Sequence, residues 1–178
     1  MAAAQRGDGV AFDELVRRHT NTMYRVAYRI LADAAEAEDA VQEAWVAAWR
    51  SLRHFRNEAA PTTWLYRVVT NAALAQVRRR KPTVPIDTSD ESMNHLIPDD
   101  GTGNPEGHAV RSEEADLVHR AIATLEPSQR VPLVLREFEG MSYEEIAEVL
   151  EVNTAALRSR LHRARLALLT RLEEMRRG

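Results

Sequence analysis

Arg158, Ser159, Arg160, His162 and Arg163 crowd into less than two turns of an expected helix near the end of this 178-residue chain. They follow a Ser142–Glu145 spacing that reads as a capping box and a short Glu151-Val152-Asn153 turn, with Asn153 a suitable cap for the next helix. A guanidinium presents two parallel donors, which match a guanine edge or a phosphate, so this pattern suits groove reading of a nucleic acid duplex. On a helical wheel Leu157, Leu161, Ala164 and Leu168 face inward. Arg158, Ser159, His162 and Arg163 face outward, flanked by Arg160 and Arg165. A short helix, a tight turn and a second helix of this kind has helix-turn-helix spacing. The same arginines also suit an amphipathic helix that is merely well solvated.

Two other groups carry chemistry. Asp39, Gln42 and Glu43, with Val46 and Arg50, fall on one arc opposite the apolar stripe Val41, Ala44, Trp45, Ala48 and Leu52. An acidic and amide strip of this sort fits pairing with a basic partner helix, and it equally fits an ordinary wet face. Downstream, Phe55, Arg56 and Asn57 lie in a short loop, and Tyr66, Arg67 and Asn71 lie on the helix after Pro61. Aromatic faces stack unpaired bases, and polar groups around a pocket read an extruded base edge. Trp64 borders the apolar side of that helix and is expected to pack in the core.

The elements that must hold these groups are helical. Phe12, Leu15, Val16, His19, Met23, Val26, Ala27 and Ile30 recur at three- and four-residue steps. A second helix is expected after Asp33, an N-cap with Glu36 three residues on. A third starts near Pro61 and ends in Arg78-Arg79-Arg80-Lys81, where cations complement the helix dipole and Pro82 forces a stop. Residues 82–107 are rich in Pro, Gly, Ser, Thr and Asp and read as an extended linker. Helices then resume near His108, break at Glu126-Pro127 and stop again at Gly140. The expectation is an all-α protein: two small helical bundles joined by a flexible acidic linker, the C-terminal one containing the helix-turn-helix, with boundaries at 1–81, 82–107 and 108–178.

Composition narrows the classes. The net charge of −3 conceals a strong pattern. Residues 1–81 carry 13 basic and 9 acidic side chains, whereas 82–107 carry 6 acidic and none basic. Residues 108–151 carry 4 basic and 10 acidic, and 152–178 carry 7 basic and 2 acidic. With screening over about 8–10 Å, a partner senses each patch rather than the sum. There is no cysteine, which excludes disulfides and thiolate metal sites. His19, His54, His95, His108, His119 and His162 show no metal-ligand spacing, and no glycine-rich phosphate loop occurs. No catalytic residue, metal or cofactor is therefore expected. No apolar run approaches the roughly 20 residues that cross a bilayer, and the N-terminus lacks an apolar signal core, so a cytoplasmic location without membrane insertion is expected.

Taken together and in this order, the motifs resemble a two-domain bacterial sigma factor of the extracytoplasmic-function type, within the sigma-70 family. The resemblance spans roughly residues 10–172. Leu135-Arg136-Glu137, Gly140, Ser142-Tyr143-Glu144-Glu145-Ile146-Ala147 and Arg158 to Arg165 are similar to region four, which binds the upstream −35 element. That likeness makes Arg136, Arg158, Ser159, Arg160, His162 and Arg163 candidate DNA contacts. Glu38-Asp39-Ala40-Val41-Gln42-Glu43-Ala44-Trp45 looks like the segment that docks on the clamp helices of the largest subunit of core RNA polymerase, which implicates Asp39, Gln42 and Glu43. The stretch from Phe55 to Asn71 is similar to the segment that captures a flipped non-template base of the −10 element, which implicates Phe55, Arg56, Asn57, Tyr66, Arg67 and Asn71. The chain departs from the family at three places: Ala155-Ala156-Leu157 replaces Gly-Thr-Val, Glu151 replaces a turn glycine, and Ala75 replaces an aspartate.

The resemblance implies an alternative sigma factor that binds core polymerase and both double- and single-stranded promoter DNA, recognising both elements and melting the duplex. It also implies a linker threading toward the polymerase cleft, an anti-sigma partner by family habit, and a monomer when free. A second reading stays open: a helix-turn-helix regulator that acts without docking on polymerase, its N-terminal half serving as a dimerisation or sensor bundle. That reading predicts a stable dimer and tight free binding to a palindrome.

Overall fold

The computed structural model describes residues 1–55, 60–80 and 108–177, with only the backbone described over 108–112. All regular structure among these residues is helical. The candidates Arg56 and Asn57, and the whole stretch read as a linker, lie outside the described residues.

Among the described residues eight α-helices follow one another: α1 (Ala2–Gln5), α2 (Gly9–Leu31), α3 (Ala34–Ser51), α4 (Pro61–Arg79), α5 (His108–Ala123), α6 (Pro127–Glu137), α7 (Tyr143–Leu150) and α8 (Thr154–Arg177). A short 3-10 turn, Leu52–His54, follows α3. The brief α1, which the apolar pattern does not announce, is tied to the end of that turn by Gln5, whose Nε2 donates to the Phe55 carbonyl at 2.7 Å.

Local chemistry sets the helix ends. Asp8 caps α2 by accepting from the Ala11 amide, and Asp33 caps α3 by accepting from the Glu36 amide at 2.9 Å. The Glu36 carboxylate does not close a capping box on Asp33. It is drawn away to Arg80, whose Nε lies 2.9 Å from Glu36 Oε2. Ser142 and Glu145 do form the reciprocal box at the start of α7. Asn153 Oδ1 accepts from the Ala156 amide at 2.7 Å at the start of α8. Gly140 ends the preceding segment with a φ of 64°.

Glu151 stands where the backbone turns left-handed, with a φ of 53°. There the Val152 amide closes back on the Ala147 carbonyl at 3.0 Å. A side chain in this conformation costs about 1–2 kcal/mol, partly offset because glycine loses more entropy on folding. Glu151→Gly is thus expected to raise stability by up to about 1 kcal/mol, read as a higher urea midpoint with an unchanged slope. A lower midpoint would show that loss of the Glu151 carboxylate beside Arg67 outweighs the relief of strain.

The apolar faces meet as the three-to-four spacing requires. Val26, Ile30, Ala40, Ala44, Leu65 and Val69 close the core of α2, α3 and α4. Ile122, Leu133, Val134, Ile146, Leu157 and Leu161 close that of α5 to α8. The two helical parts also pack on each other: α2 lies against α5 and α6, and α4 against α6 and α7. Their buried residues form one connected cluster.

Candidate nucleic-acid interface

The helix-turn-helix is α7, the turn Glu151 to Asn153, and α8. Leu157, Leu161 and Ala164 are fully buried beneath α8. That anchoring leaves Arg158, Ser159, His162 and Arg163 exposed on its outer side, with Arg160 half-buried at the flank. Arg165 is engaged by Glu137, at 2.6 Å, and so belongs to the scaffold.

Tyr143 organises this face, a role the sequence spacing did not signal. Its ring lies under two guanidinium groups, Arg136 at 5.1 Å and Arg158 at 5.6 Å from the centroid. Such contacts restrain a cation without consuming its hydrogen-bond donors. Arg136 is held further by donating from Nη1 to the Met141 carbonyl at 2.6 Å, so only part of its fork remains for a ligand.

On α3, Asp39, Gln42 and Glu43 are all exposed and share one side, opposite buried Val41, Ala44 and Ala48. Val46 and Trp49 extend that surface with exposed apolar area. Glu43 is already paired: both its oxygens accept from Arg79 of α4, each at 2.8 Å. The hydrogen bonds and charge of Arg79 hold its carboxyl below the usual carboxylate range. Asp39 and Gln42 are therefore the freer members of the strip.

The residues expected to handle unpaired bases are dispersed. Phe55 packs against Trp64, with ring centroids 5.1 Å apart, and Trp64 is half-buried as its place on the wheel requires. Asn71 is exposed on α4. Tyr66 is half-buried, and burial together with the charge of Glu139 pushes its hydroxyl up to about 12. Arg67 donates to Glu148 and Glu151, each at 3.2 Å. Thr63, not singled out from the sequence, is buried and donates to Glu145 Oε1 at 2.9 Å.

Glu139 also takes a hydrogen bond from Arg29 at 3.0 Å, in a pair whose side chains are only 7% and 14% exposed. The Arg29 guanidinium rests over Phe138, 4.4 Å from its centroid, and His119 stacks on the same ring. Burial, aided by the Arg29 charge, pushes the His119 imidazole below its ordinary pKa. Among the described residues no cluster has the composition of a metal site, and no helix is long and apolar enough to cross a membrane.

Comparison with known proteins places these faces in one family. Residues 15–83 match the family model for sigma-70 region 2, and residues 115–168 match that for sigma-70 region 4. The RNA polymerase sigma-H factor of Pseudomonas aeruginosa is 39% identical over 92% of this chain and 87% of that protein. The ECF RNA polymerase sigma factor SigW of Bacillus subtilis is 31% identical over 96% of this chain and 94% of that protein. Among solved structures, CnrH in complex with the cytosolic domain of CnrY superposes with a TM-score of 0.68 at 28% identity, covering 97% of this chain and 94% of that one. The two family models match this chain in order and the relatives match it over nearly its whole length, and this protein belongs to the extracytoplasmic-function group of the sigma-70 family of RNA polymerase sigma factors.

Proposed function

We propose that this sigma factor confers promoter choice on core RNA polymerase through three separate faces. The exposed edge of α3 docks on the clamp helices of the largest polymerase subunit through Asp39 and Gln42, with Glu43 joining once shared with Arg79. The outer side of α8 enters the major groove of the −35 element with Arg158, Ser159, His162 and Arg163, supported by Arg136 and Arg160. Tyr66, Arg67 and Asn71 of α4, with Phe55, Arg56 and Asn57 at its loop, receive unpaired bases of the −10 element. Residues 1–81 serve docking and opening, 82–107 connect, and 108–178 read the upstream element.

The observation that carries this reading is the outer side of α8, where four polar side chains capable of base or phosphate contact stand exposed above buried Leu157 and Leu161. A major groove admits one helix, and the residues reaching base edges come from its N-terminal part, which is where these lie. The protein works as a binding subunit in the cytoplasm without chemistry of its own. An anti-sigma partner is part of the proposal, and CnrH, captured with a cytosolic protein domain, is a structural precedent for such a complex.

Run-off transcription with purified core polymerase, with and without this protein, tests the proposal: new start sites are expected only when it is present. Arg158→Ala is expected to weaken recognition of the −35 element by about 1–3 kcal/mol if the guanidinium reads a base edge. The loss should be confined to templates carrying the preferred element. A loss uniform across sequences would reduce Arg158 to a phosphate contact.

A further inference from the structure

Arg136, Tyr143 and Arg158 come from three different helices, α6, α7 and α8. Tyr143 is the first residue of α7, and the reciprocal bonds of Ser142 and Glu145 fix that end of the helix. The half-buried ring is therefore placed by the scaffold. It meets Arg136 at 5.1 Å and Arg158 at 5.6 Å, both within the reach of cation–π attraction. Arg165, close to two turns beyond Arg158 on α8, is paired with Glu137. The Glu137 carboxylate, and after it the Tyr143 hydroxyl, keep the Arg165 guanidinium above its ordinary pKa. One side chain thus addresses three arginines. Arg163, by contrast, is held within its own helix, its Nε donating to the Ser159 carbonyl at 3.4 Å.

We propose that Tyr143 is a positioning residue for sequence choice: its ring holds the exposed Arg158 guanidinium in the orientation that donates to one base edge of the −35 element. The proposal rests on the reading of α8 given above and names what makes that face selective. An unrestrained arginine samples many rotamers, and on a duplex most of the acceptors it meets are phosphates, which carry no sequence. A guanidinium already oriented by an aromatic face keeps its donors free and loses less freedom on reaching a base. It also meets a wrong edge with its donors unmatched, and discrimination arises there. Losing the ring therefore costs choice more than grip. Arg136 depends on the ring less, because the Met141 carbonyl also holds it.

The test uses the full chain in holoenzyme reconstituted with core polymerase. Templates randomised across the −35 element are transcribed, and sequencing of the products gives the base preference at each position. Arg158→Ala marks the position that Arg158 reads. Tyr143→Leu is expected to relax preference at that same position by about two- to fivefold, the span of an exposed cation–π contact. Preferences elsewhere and affinity for non-promoter duplex should match the native chain. Tyr143→Met, a second ringless variant, should repeat this profile. Tyr143→Phe keeps the ring and should keep the preference. Combined with Arg158→Ala, Tyr143→Leu should relax that position no further. Unchanged preference in both ringless variants, or equal loss at every position, overturns the role of Tyr143. A loss in Tyr143→Phe as large as in Tyr143→Leu overturns the role of the ring. If Arg158→Ala itself relaxes no position, the reading of Arg158 at the −35 element falls, and the role of Tyr143 falls with it.

Discussion

Arg130→Ala is expected to destabilise this protein by about 3–5 kcal/mol. Arg130 is 8% exposed and reaches three backbone carbonyls. Its Nη1 donates to Ile30 at 2.6 Å, its Nε and Nη2 donate to Leu125 at 3.2 and 2.7 Å, and Nη2 also meets Ala123. Ile30 lies in the last turn of α2, Ala123 ends α5, and Leu125 lies just beyond it. The final carbonyls of a helix lack internal partners and carry the negative end of its dipole, so a buried cation serves both helices at once. Burial pushes the pKa of the guanidinium down from its ordinary value, but five donors in a fixed fork allow it to remain charged and bonded.

Alanine leaves the three acceptors without a donor in a site too enclosed for ready solvation, and each costs about 1–3 kcal/mol. Arg130→Lys should recover only part of the loss, because one ammonium cannot span all three carbonyls. Urea denaturation of both variants measures this. A loss below about 1 kcal/mol for Arg130→Ala would mean that water replaces the guanidinium and that the site is not closed.

The second large effect falls on association. Asp39→Ala with Gln42→Ala is expected to weaken binding to core polymerase by about 2 kcal/mol or more, roughly thirtyfold, while leaving stability and free DNA binding unchanged. Both side chains are exposed and lie away from the buried side of α3, so their removal disturbs no packing. Glu43→Ala is the less clean experiment, since it also frees Arg79. Titration of labelled protein with core polymerase gives the result, and equal affinity for the double variant and the native chain removes the docking assignment from this strip.

Much of this architecture is legible in residue type and spacing. Of the stripe Val41, Ala44, Trp45, Ala48 and Leu52, all but the half-buried Trp45 are buried as their spacing requires. The capping box at Ser142, the cap at Asn153, the stop at Gly140 and the N-terminal proline of α4 all lie where residue type placed them. Glu151 shows the same logic from the other side: the turn does demand a left-handed residue, and this chain supplies one without glycine. Arg158 and His162 point outward for the reason that Leu157 and Leu161 point inward, which is a matter of 3.6 residues per turn.

Other features had no trace in the pattern. That Glu36 would leave Asp33 for Arg80, that Glu43 would be claimed by Arg79, and that Tyr143 would hold Arg136 and Arg158 depended on which helices became neighbours. The pattern did not mark out Thr63 or Glu139, yet Thr63 bonds to Glu145 and Glu139 pairs with Arg29 beside Tyr66. Arg130, which the sequence pattern did not single out, closes two helix ends.

The division follows from range. Helix periods, caps and turn residues act over three to five positions, so the chain alone determined most of the helices and their wet and dry sides, and the motifs on them carried the resemblance to the family. Pairings such as Arg67 with Glu148, or Arg130 with Ile30, join residues 81 and 100 positions apart. Only packed helices bring such groups within hydrogen-bond reach, and so only the tertiary structure decided which charges are free for a partner and which are already taken.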